Sequence, residues 1–279
     1  MTGHATTDWA AERGDKWRAK VQWTDPMLKP VDEPLIEALT LSEPLAIADI
    51  GCGSGETSIE IASQAPDGSA VHGYDVSPSL IELAKENAHS FRLDIGFSVA
   101  DAAAHQPQEG GYDRLASRFG VMFFEDPQGA FKNLTTWLKP GGRFAFAVWG
   151  PPVDNLWIYS VRDVVAEFVE IPKVDPDAPG PFRYAEVERF IALLSNAGFS
   201  DVASTPWKGT VPIGDQNTPA EAAEIALSTF STFDELLGEA AEGSRAKAVE
   251  LLASRFSEYY ETGQVRLPAH VSIVTGGRV

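Results

Sequence analysis

Basic residues are scarce in this chain and cysteine is nearly absent. Of 279 residues, 22 are Lys or Arg against 40 Asp or Glu, a formal net charge of −18. Phosphate backbones and anionic membrane surfaces need clustered cations, so nucleic-acid partners are disfavoured. Cys52 is the single cysteine, which excludes an internal disulfide and any cysteine-rich zinc site. No apolar run approaches the ~20 residues of a membrane span, and residues 1–8 are polar and lack a charged-then-apolar leader pattern. These absences point to a cytoplasmic protein without membrane insertion. What is present is 44% apolar content over a length that can bury one α/β core with additions.

The chain is organised around Asp49-Ile50-Gly51-Cys52-Gly53-Ser54-Gly55. An apolar run, Ala46-Ile47-Ala48, precedes it, and Glu56 to Ala62 follows with helical spacing, so the glycines occupy a strand-to-helix turn. Glycine lets backbone approach a ligand, and the first helical turn offers unpaired N–H groups. A dinucleotide fingerprint, G-x-G-x-x-G, would place glycine at position 56, where this chain has Glu56. A pyrophosphate is repelled there, whereas a ligand bearing an ammonium and a sulfonium is favoured by acidic neighbours.

Two further acids fall where such a ligand needs them. Ala70 to Val76 reads as a second strand bringing Asp75 to its end, where a carboxylate can accept both ribose hydroxyls. Phe97 to Asp101 reads as a third strand that ends in another acid. Alternation of strand, turn and helix predicts a parallel sheet with all three acids at its carboxyl edge. Any one of these acids alone reads better as a helix cap or solvated loop residue. Three in register with the glycine turn point to a ligand.

Together with Gly73-Tyr74-Asp75-Val76-Ser77, Val99-Ala100-Asp101-Ala102, Tyr112 to Phe119 and Leu138-Lys139-Pro140-Gly141-Gly142-Arg143-Phe144, the turn resembles the motifs of class I S-adenosylmethionine-dependent methyltransferases. Ser117 to Pro127 is similar to a bacterial subgroup related to ubiquinone and menaquinone methyltransferases. The resemblance runs over roughly residues 9 to 207. It implies a Rossmann-like, seven-stranded, mostly parallel sheet with an antiparallel last strand, helices on both faces and helical lid insertions. It also implies S-adenosyl-L-methionine as cofactor, S-adenosyl-L-homocysteine as product, and no metal. Carried onto this chain, it sets Asp49 near the methionine ammonium, Gly51, Cys52 and Gly53 under the methionine part, Asp75 on the ribose and Val76 against the adenine. Asp101 and the Ala102 N–H meet the adenine edge, and Ser117 lies beside the methionine moiety.

The rest of the chain divides around that core. Residues 1–40 form an amino-terminal helical cap, in which Trp17, Gln22 and Trp23 either roof the site or pack on its flank; Trp9 belongs to the same stretch. Segments 41–149 and 183–279 supply the core, and 150–182 and 214–262 interrupt the alternation as lid insertions. The second insertion carries helices marked by Ala226, Phe230, Phe233, Leu237 and by Val249, Leu252, Phe256, Tyr259, and residues 209–263 hold ten acids against Arg245, Lys247 and Arg255. Ser77-Pro78 and Asp126-Pro127 start helices over 78–88 and 127–138; Arg143 to Trp149 and Phe199 to Trp207 read as the fifth and sixth strands. A closing strand should pair only after Pro268. The apolar loop after Ser117 makes Arg118, Phe119 and Met122 candidates for the acceptor wall, with Phe123 and Phe124 as core plugs; Trp149 and Trp157 are further acceptor-side candidates. Two lids and an acidic surface favour a small, apolar or aromatic acceptor over a macromolecule. The alternatives are an NAD(P)-dependent oxidoreductase and a non-catalytic adenosyl-ligand module. Of the five histidines, His105 is nearest in sequence to the site, and capping or loop packing suits it better than catalysis; His4 falls in the polar opening, and His72, His89 and His270 lie elsewhere.

Overall fold

The computed structural model describes residues 10–107, 111–215, 217–229 and 231–279. His4, Trp9 and Phe230 lie outside the described residues. Five strands, β1 (Ala46–Ile50), β2 (Ala70–Asp75), β3 (Gly96–Val99), β4 (Tyr112–Arg118) and β5 (Leu138–Trp149), run parallel. They are followed by β6 (Ser200–Pro212), the two-residue β7 (Tyr260–Glu261) and β8 (Gln264–Gly277), and β8 lies antiparallel between β5 and β6. The order across the sheet is β3-β2-β1-β4-β5-β8-β6, with β7 pairing only to the start of β8. From β1 the chain builds outward in one direction, then resumes at β4 on the other side. The carboxyl ends of β1 and β4 therefore flank the reversal point, where open α/β sheets form their ligand crevice.

The strands read as apolar because both faces are covered. Phe144 to Val148 of β5 are each no more than 1% exposed, as are Ile47 and Ala48 of β1. Helices α1 (Glu12–Arg18), α2 (Val21–Leu28) and α3 (Asp32–Leu39) precede the sheet. Between strands come α4 (Glu56–Gln64), α5 (Pro78–Phe91), α6 (Pro127–Trp137), α7 (Leu156–Val165) and α8 (Val187–Ala197). Ser77 Oγ accepts the Leu80 N–H at 3.3 Å and Asp126 accepts that of Gly129 at 3.0 Å, so both N-caps operate as the sequence implies. Gly198 ends α8 in the left-handed region at φ 105°.

Within residues 214–262, α9 (Pro219–Thr229), α10 (Ser231–Gly238) and α11 (Ser244–Phe256) take the place of the two expected helices. They pack with α7 into one helical layer that also touches β8. Buried Ala222, Ala223, Ala226 and Leu227 of α9 meet buried Ala248, Leu252 and Phe256 of α11, small side chains allowing close helix approach.

Several boundaries differ from the sequence expectation. The helix after Ser77 continues to Phe91, β3 stops at Val99 before Asp101, and β6 extends to Pro212. β5 begins at Leu138 and passes through the Lys139-Pro140-Gly141-Gly142 turn, with a register shift opposite Tyr112 and Arg114. Pro268 lies inside β8, opposite Thr210 of β6, rather than before it. The pairing of β5 ends at Trp149 opposite Val271, so the segment holding Pro268 has a β6 partner on one side only and needs no donor on the other.

Candidate active site

The turn after β1 is shaped by its fastenings. Gly51 and Cys52 both donate their N–H to the Tyr74 carbonyl, at 2.7 and 3.0 Å, and Gly53 N–H donates to Asp75 Oδ2 at 3.0 Å. The turn is thus pinned to the end of β2. At Gly51 (φ 69°) an added Cβ would sit 2.8 Å from the Cα of Gly120, so the loops after β1 and β4 touch backbone to backbone. At Gly53 (φ 55°) nothing lies within 4 Å of the same position. The space left above the turn opens into a cavity of about 630 Å³.

Asp49, Gly51, Cys52, Gly53, Asp75, Val76, Asp101 and Ala102 all line this cavity. Asp49 is 1% exposed; its Oδ2 accepts the Ser58 hydroxyl at 2.6 Å, and its Oδ1 is buried without a partner among the described residues. Burial pushes its carboxyl up to about 7, against the Ser58 hydrogen bond and the Arg118 charge, which pull it down. A cationic donor at Oδ1 would relieve both the missing bond and the missing charge. Burial likewise raises the carboxyl of Asp75, whose two oxygens accept from Gly53 and from Ser77 and so stand at a fixed orientation. Asp101, two residues beyond β3, is held by the Ala103 N–H at 2.9 Å. Burial pushes the Cys52 thiol well above its usual range, so the sulfur is an apolar surface and not a nucleophile.

Two of the expected site residues stand differently. Ser117 is fully buried off the cavity wall, and its hydroxyl donates to the Ile50 carbonyl at 2.7 Å, tying β4 to the end of β1. Arg118 does line the cavity, yet its guanidinium is committed to Asp32 at 2.9 Å, with side chains 8% and 4% exposed. A buried carboxylate claims it, which removes it as a free handle for an acidic acceptor. Phe119, Met122, Trp149 and Trp157 share the cavity wall. Phe119 stacks on Trp149 at 4.2 Å and 9°, Trp149 tilts against Trp157 at 4.7 Å, and Trp157 Nε1 donates to Asn155 Oδ1 at 3.2 Å. Phe119 holds φ 68°, a conformation a bulky residue adopts only when its surroundings enforce it. Phe123 and Phe124 pack against the core as expected and also line the cavity.

The amino-terminal helices contribute more than the sequence suggests. Trp17 lines the cavity, while Gln22 and Trp23 do not. Thr24, Asp25, Met27 and Leu28 of α2 join it, as does Thr229 from the end of α9. Asp25 and Asp32 are the residues that sequence patterning missed: Asp25 Oδ2 accepts the Ser54 hydroxyl at 2.6 Å, and Asp32 Oδ1 accepts that of Thr57 at 2.9 Å. Both bonds fasten α2 and α3 to the turn and to the first turn of α4. His72, His89, His105 and His270 stand off the cavity wall. His72 bonds Ser98 and stacks on Tyr74, His105 packs between Tyr74 and Trp137, and His270 pairs with Asp154 at 2.8 Å.

The charged lining consists of six acids, Asp25, Asp49, Asp75, Asp101, Glu125 and Asp126, against one base that is already paired. That balance, the partnerless Asp49 oxygen and the bare turn fit an adenosyl group carrying positive charge, and they oppose a pyrophosphate. The fold, with the match of residues 47–142, is that of a class I S-adenosylmethionine-dependent methyltransferase domain. Residues 47–142, about a third of the chain, match the family model described as "Methyltransferase domain".

The chain is 32% identical over 109 residues to a demethylmenaquinone methyltransferase of Thermus thermophilus, covering 39% of this chain and 49% of that protein. It is 27% identical over 171 residues to phosphoethanolamine N-methyltransferase 1 of Zea mays, covering 60% and 30%. It thus spans about half of the first relative and under a third of the second. Among solved structures, the YcgJ protein of Bacillus subtilis shares the fold with a TM-score of 0.57 at 16% identity, over 90% of this chain and 99% of that one. No helix among the described residues is long and apolar enough to cross a membrane.

Proposed function

We propose that the chain transfers a methyl group from S-adenosylmethionine to a small, apolar or aromatic acceptor that bears no phosphate. The observation that carries this reading is the charge balance of the cavity: six carboxylates and a single arginine that Asp32 already neutralises. A phosphorylated acceptor, of the kind named for the Zea mays relative, would find no uncommitted cation among the described lining residues. A quinone-like ring, of the kind named for the Thermus relative, suits the aromatic wall to which Phe119, Trp149 and Trp157 contribute. The formal net charge of −18 supports the same choice against nucleic acid.

When bound, the cofactor supplies a methyl carbon on a positively charged sulfur. Asp49 would hold its ammonium, Asp75 its ribose hydroxyls, and Val76 its adenine, with Asp101 and the Ala102 N–H at the adenine edge. Gly51, Cys52 and Gly53 would lie under its methionine part. The aromatic wall would align the acceptor and exclude water, which is most of what an in-line displacement requires.

Calorimetry with S-adenosylmethionine, S-adenosylhomocysteine and NADH tests the reading directly. The first two should bind and NADH should not. Asp75→Asn should weaken the first two by roughly 1.5–3 kcal/mol, the value of charge-assisted hydrogen bonds. Binding of NADH without either sulfur compound would replace this function with an oxidoreductase.

A further inference from the structure

Two polar groups on the cavity wall lie outside the motifs assigned to the adenosyl ligand: Asp25 of α2 and Thr229 at the end of α9. Thr229 Oγ1 is buried with no hydrogen-bond partner among the described residues, a costly state for a hydroxyl unless a ligand completes it. The Thr229 carbonyl accepts from Lys20 Nζ at 2.8 Å, and Lys20 is the N-cap residue of α2. The end of α9 is therefore tied to the start of α2. Asp25 follows five residues on, about 7–8 Å along the helix. Its Oδ2 is held by Ser54, and its Oδ1 has no protein partner among the described residues. The two groups come from chain segments on either side of the core, and they share the cavity wall with the apolar side chains of Met27, Met122, Phe119 and Trp157.

We infer that Asp25 is the general base of the reaction and that, with the Thr229 hydroxyl, it anchors the hydroxyl of a phenolic acceptor. This rests on the methyl-transfer reading of the site. The acceptor O–H bond breaks with its proton passing to Asp25 Oδ1, and a bond forms between the acceptor oxygen and the methyl carbon of S-adenosylmethionine. The methyl–sulfur bond breaks with its electron pair left on sulfur, giving the ether, neutral S-adenosylhomocysteine and a protonated Asp25. No described histidine lines the cavity to compete for this proton. The surroundings suit Asp25 to the task. Burial pushes its carboxyl up to about 6, against the Ser54 hydrogen bond from the turn and the Arg118 charge from β4, with Glu56 of α4 and Asp32 of α3 reinforcing the rise. A base with that affinity for protons accepts one at neutral pH more readily than an ordinary carboxylate.

The test uses the full chain with 2-naphthol and catechol as phenolic probes. Wild type, Asp25→Asn, Asp25→Glu and Thr229→Val are titrated with S-adenosylhomocysteine by calorimetry. Each complex is then titrated with probe, and methyl transfer from S-adenosylmethionine is followed across the pH range. Wild type, Thr229→Val and Asp25→Asn, whose amide oxygen can still accept the Ser54 hydroxyl, should bind S-adenosylhomocysteine within about twofold, and Thr229→Val should weaken the probe about tenfold, the loss of one hydrogen bond. Transfer should fall by about 10²- to 10⁴-fold in Asp25→Asn, the usual share of a general base, and the residual rate should lose the acid limb that wild type shows near pH 6. Asp25→Glu should recover part of the rate and the limb. Should Asp25→Asn fold poorly, the wild-type limb, read with S-adenosylmethionine saturating at each pH so that Asp49 does not contribute, and Thr229→Val still decide. Transfer by Asp25→Asn within a fewfold of wild type with its limb intact overturns the assignment. So does a loss of S-adenosylhomocysteine affinity parallel to the loss of rate, which marks a structural role. Failure of both probes on a wild type that binds S-adenosylhomocysteine overturns the phenolic class, whereas failure to bind S-adenosylhomocysteine removes the proposed function itself.

Discussion

At the scale of single residues, the acids that matter fall into two groups by how they announce themselves. Asp49, Asp75 and Asp101 stand at or just beyond strand ends, so a pattern of short apolar runs was enough to place them at one rim. Asp25 and Asp32 give no such signal. Their partners Ser54, Thr57 and Arg118 lie 29, 25 and 86 positions away, and local spacing cannot encode a contact that only tertiary packing creates. Ser117 shows the converse, a motif position whose side chain turns inward to a carbonyl. The Arg118–Asp32 pair has a consequence for stability. Removing Arg118 leaves Asp32 buried and uncompensated, so Arg118→Met should destabilise by roughly 3–5 kcal/mol in denaturant unfolding. The double variant Arg118→Met/Asp32→Asn should recover most of that loss. A single variant as stable as wild type would show that the pair is solvated and not buried.

At the scale of elements, the alternation of strands and helices was legible because the central strands β1 and β5 are buried on both faces and the helices between them bury one side. What escaped was determined by neighbours. Pro268 is tolerated inside β8 only because β5 stops at Trp149, a fact about a strand over a hundred residues away. The division of residues 214–262 into three helices, with α7 joining them, likewise depends on packing between segments. The contact of the loops after β1 and β4 belongs here too. Gly120 was not singled out by its sequence context, yet a Cβ there would lie 2.7 Å from the Ile50 carbonyl oxygen and 2.8 Å from the Gly51 Cα. Both obstacles are backbone and cannot swing aside. Gly120→Ala should therefore cost about 1–3 kcal/mol, as overpacking does, and should weaken S-adenosylhomocysteine because the turn under it is pushed out of place. Unchanged unfolding and unchanged binding would mean that the two loops can separate freely. Loss of stability with full affinity would confine the contact to folding.

At the scale of the molecule, a net charge of −18 and a cavity of carboxylates act on the same titration range but through different physics. Burial raises Asp25 to about 6 and Asp49 to about 7 from an ordinary 3.8, so the folded chain binds more protons than the unfolded chain between those values. The stability these two groups contribute is fully present below about pH 4 and is lost as pH rises through 6 to 7. A cationic ligand reverses the sign: bound beside Asp49 it favours the ionised carboxylate, expels a proton, and binds more tightly as pH rises through the same window. The increase in Tm produced by S-adenosylmethionine should accordingly be larger at about pH 8 than at about pH 5.5. Methylthioadenosine, which has neither ammonium nor sulfonium, should show little of this difference, and Asp49→Asn should remove most of it. Surface repulsion also grows with pH, but salt at about 0.5 M screens exposed charges and leaves buried ones largely untouched. Differential scanning fluorimetry at both pH values, with and without that salt, separates the two causes. A pH difference that vanishes in salt, or that survives unchanged in Asp49→Asn, would assign the effect to the acidic exterior and leave the cavity carboxylates without a part in recognising positive charge.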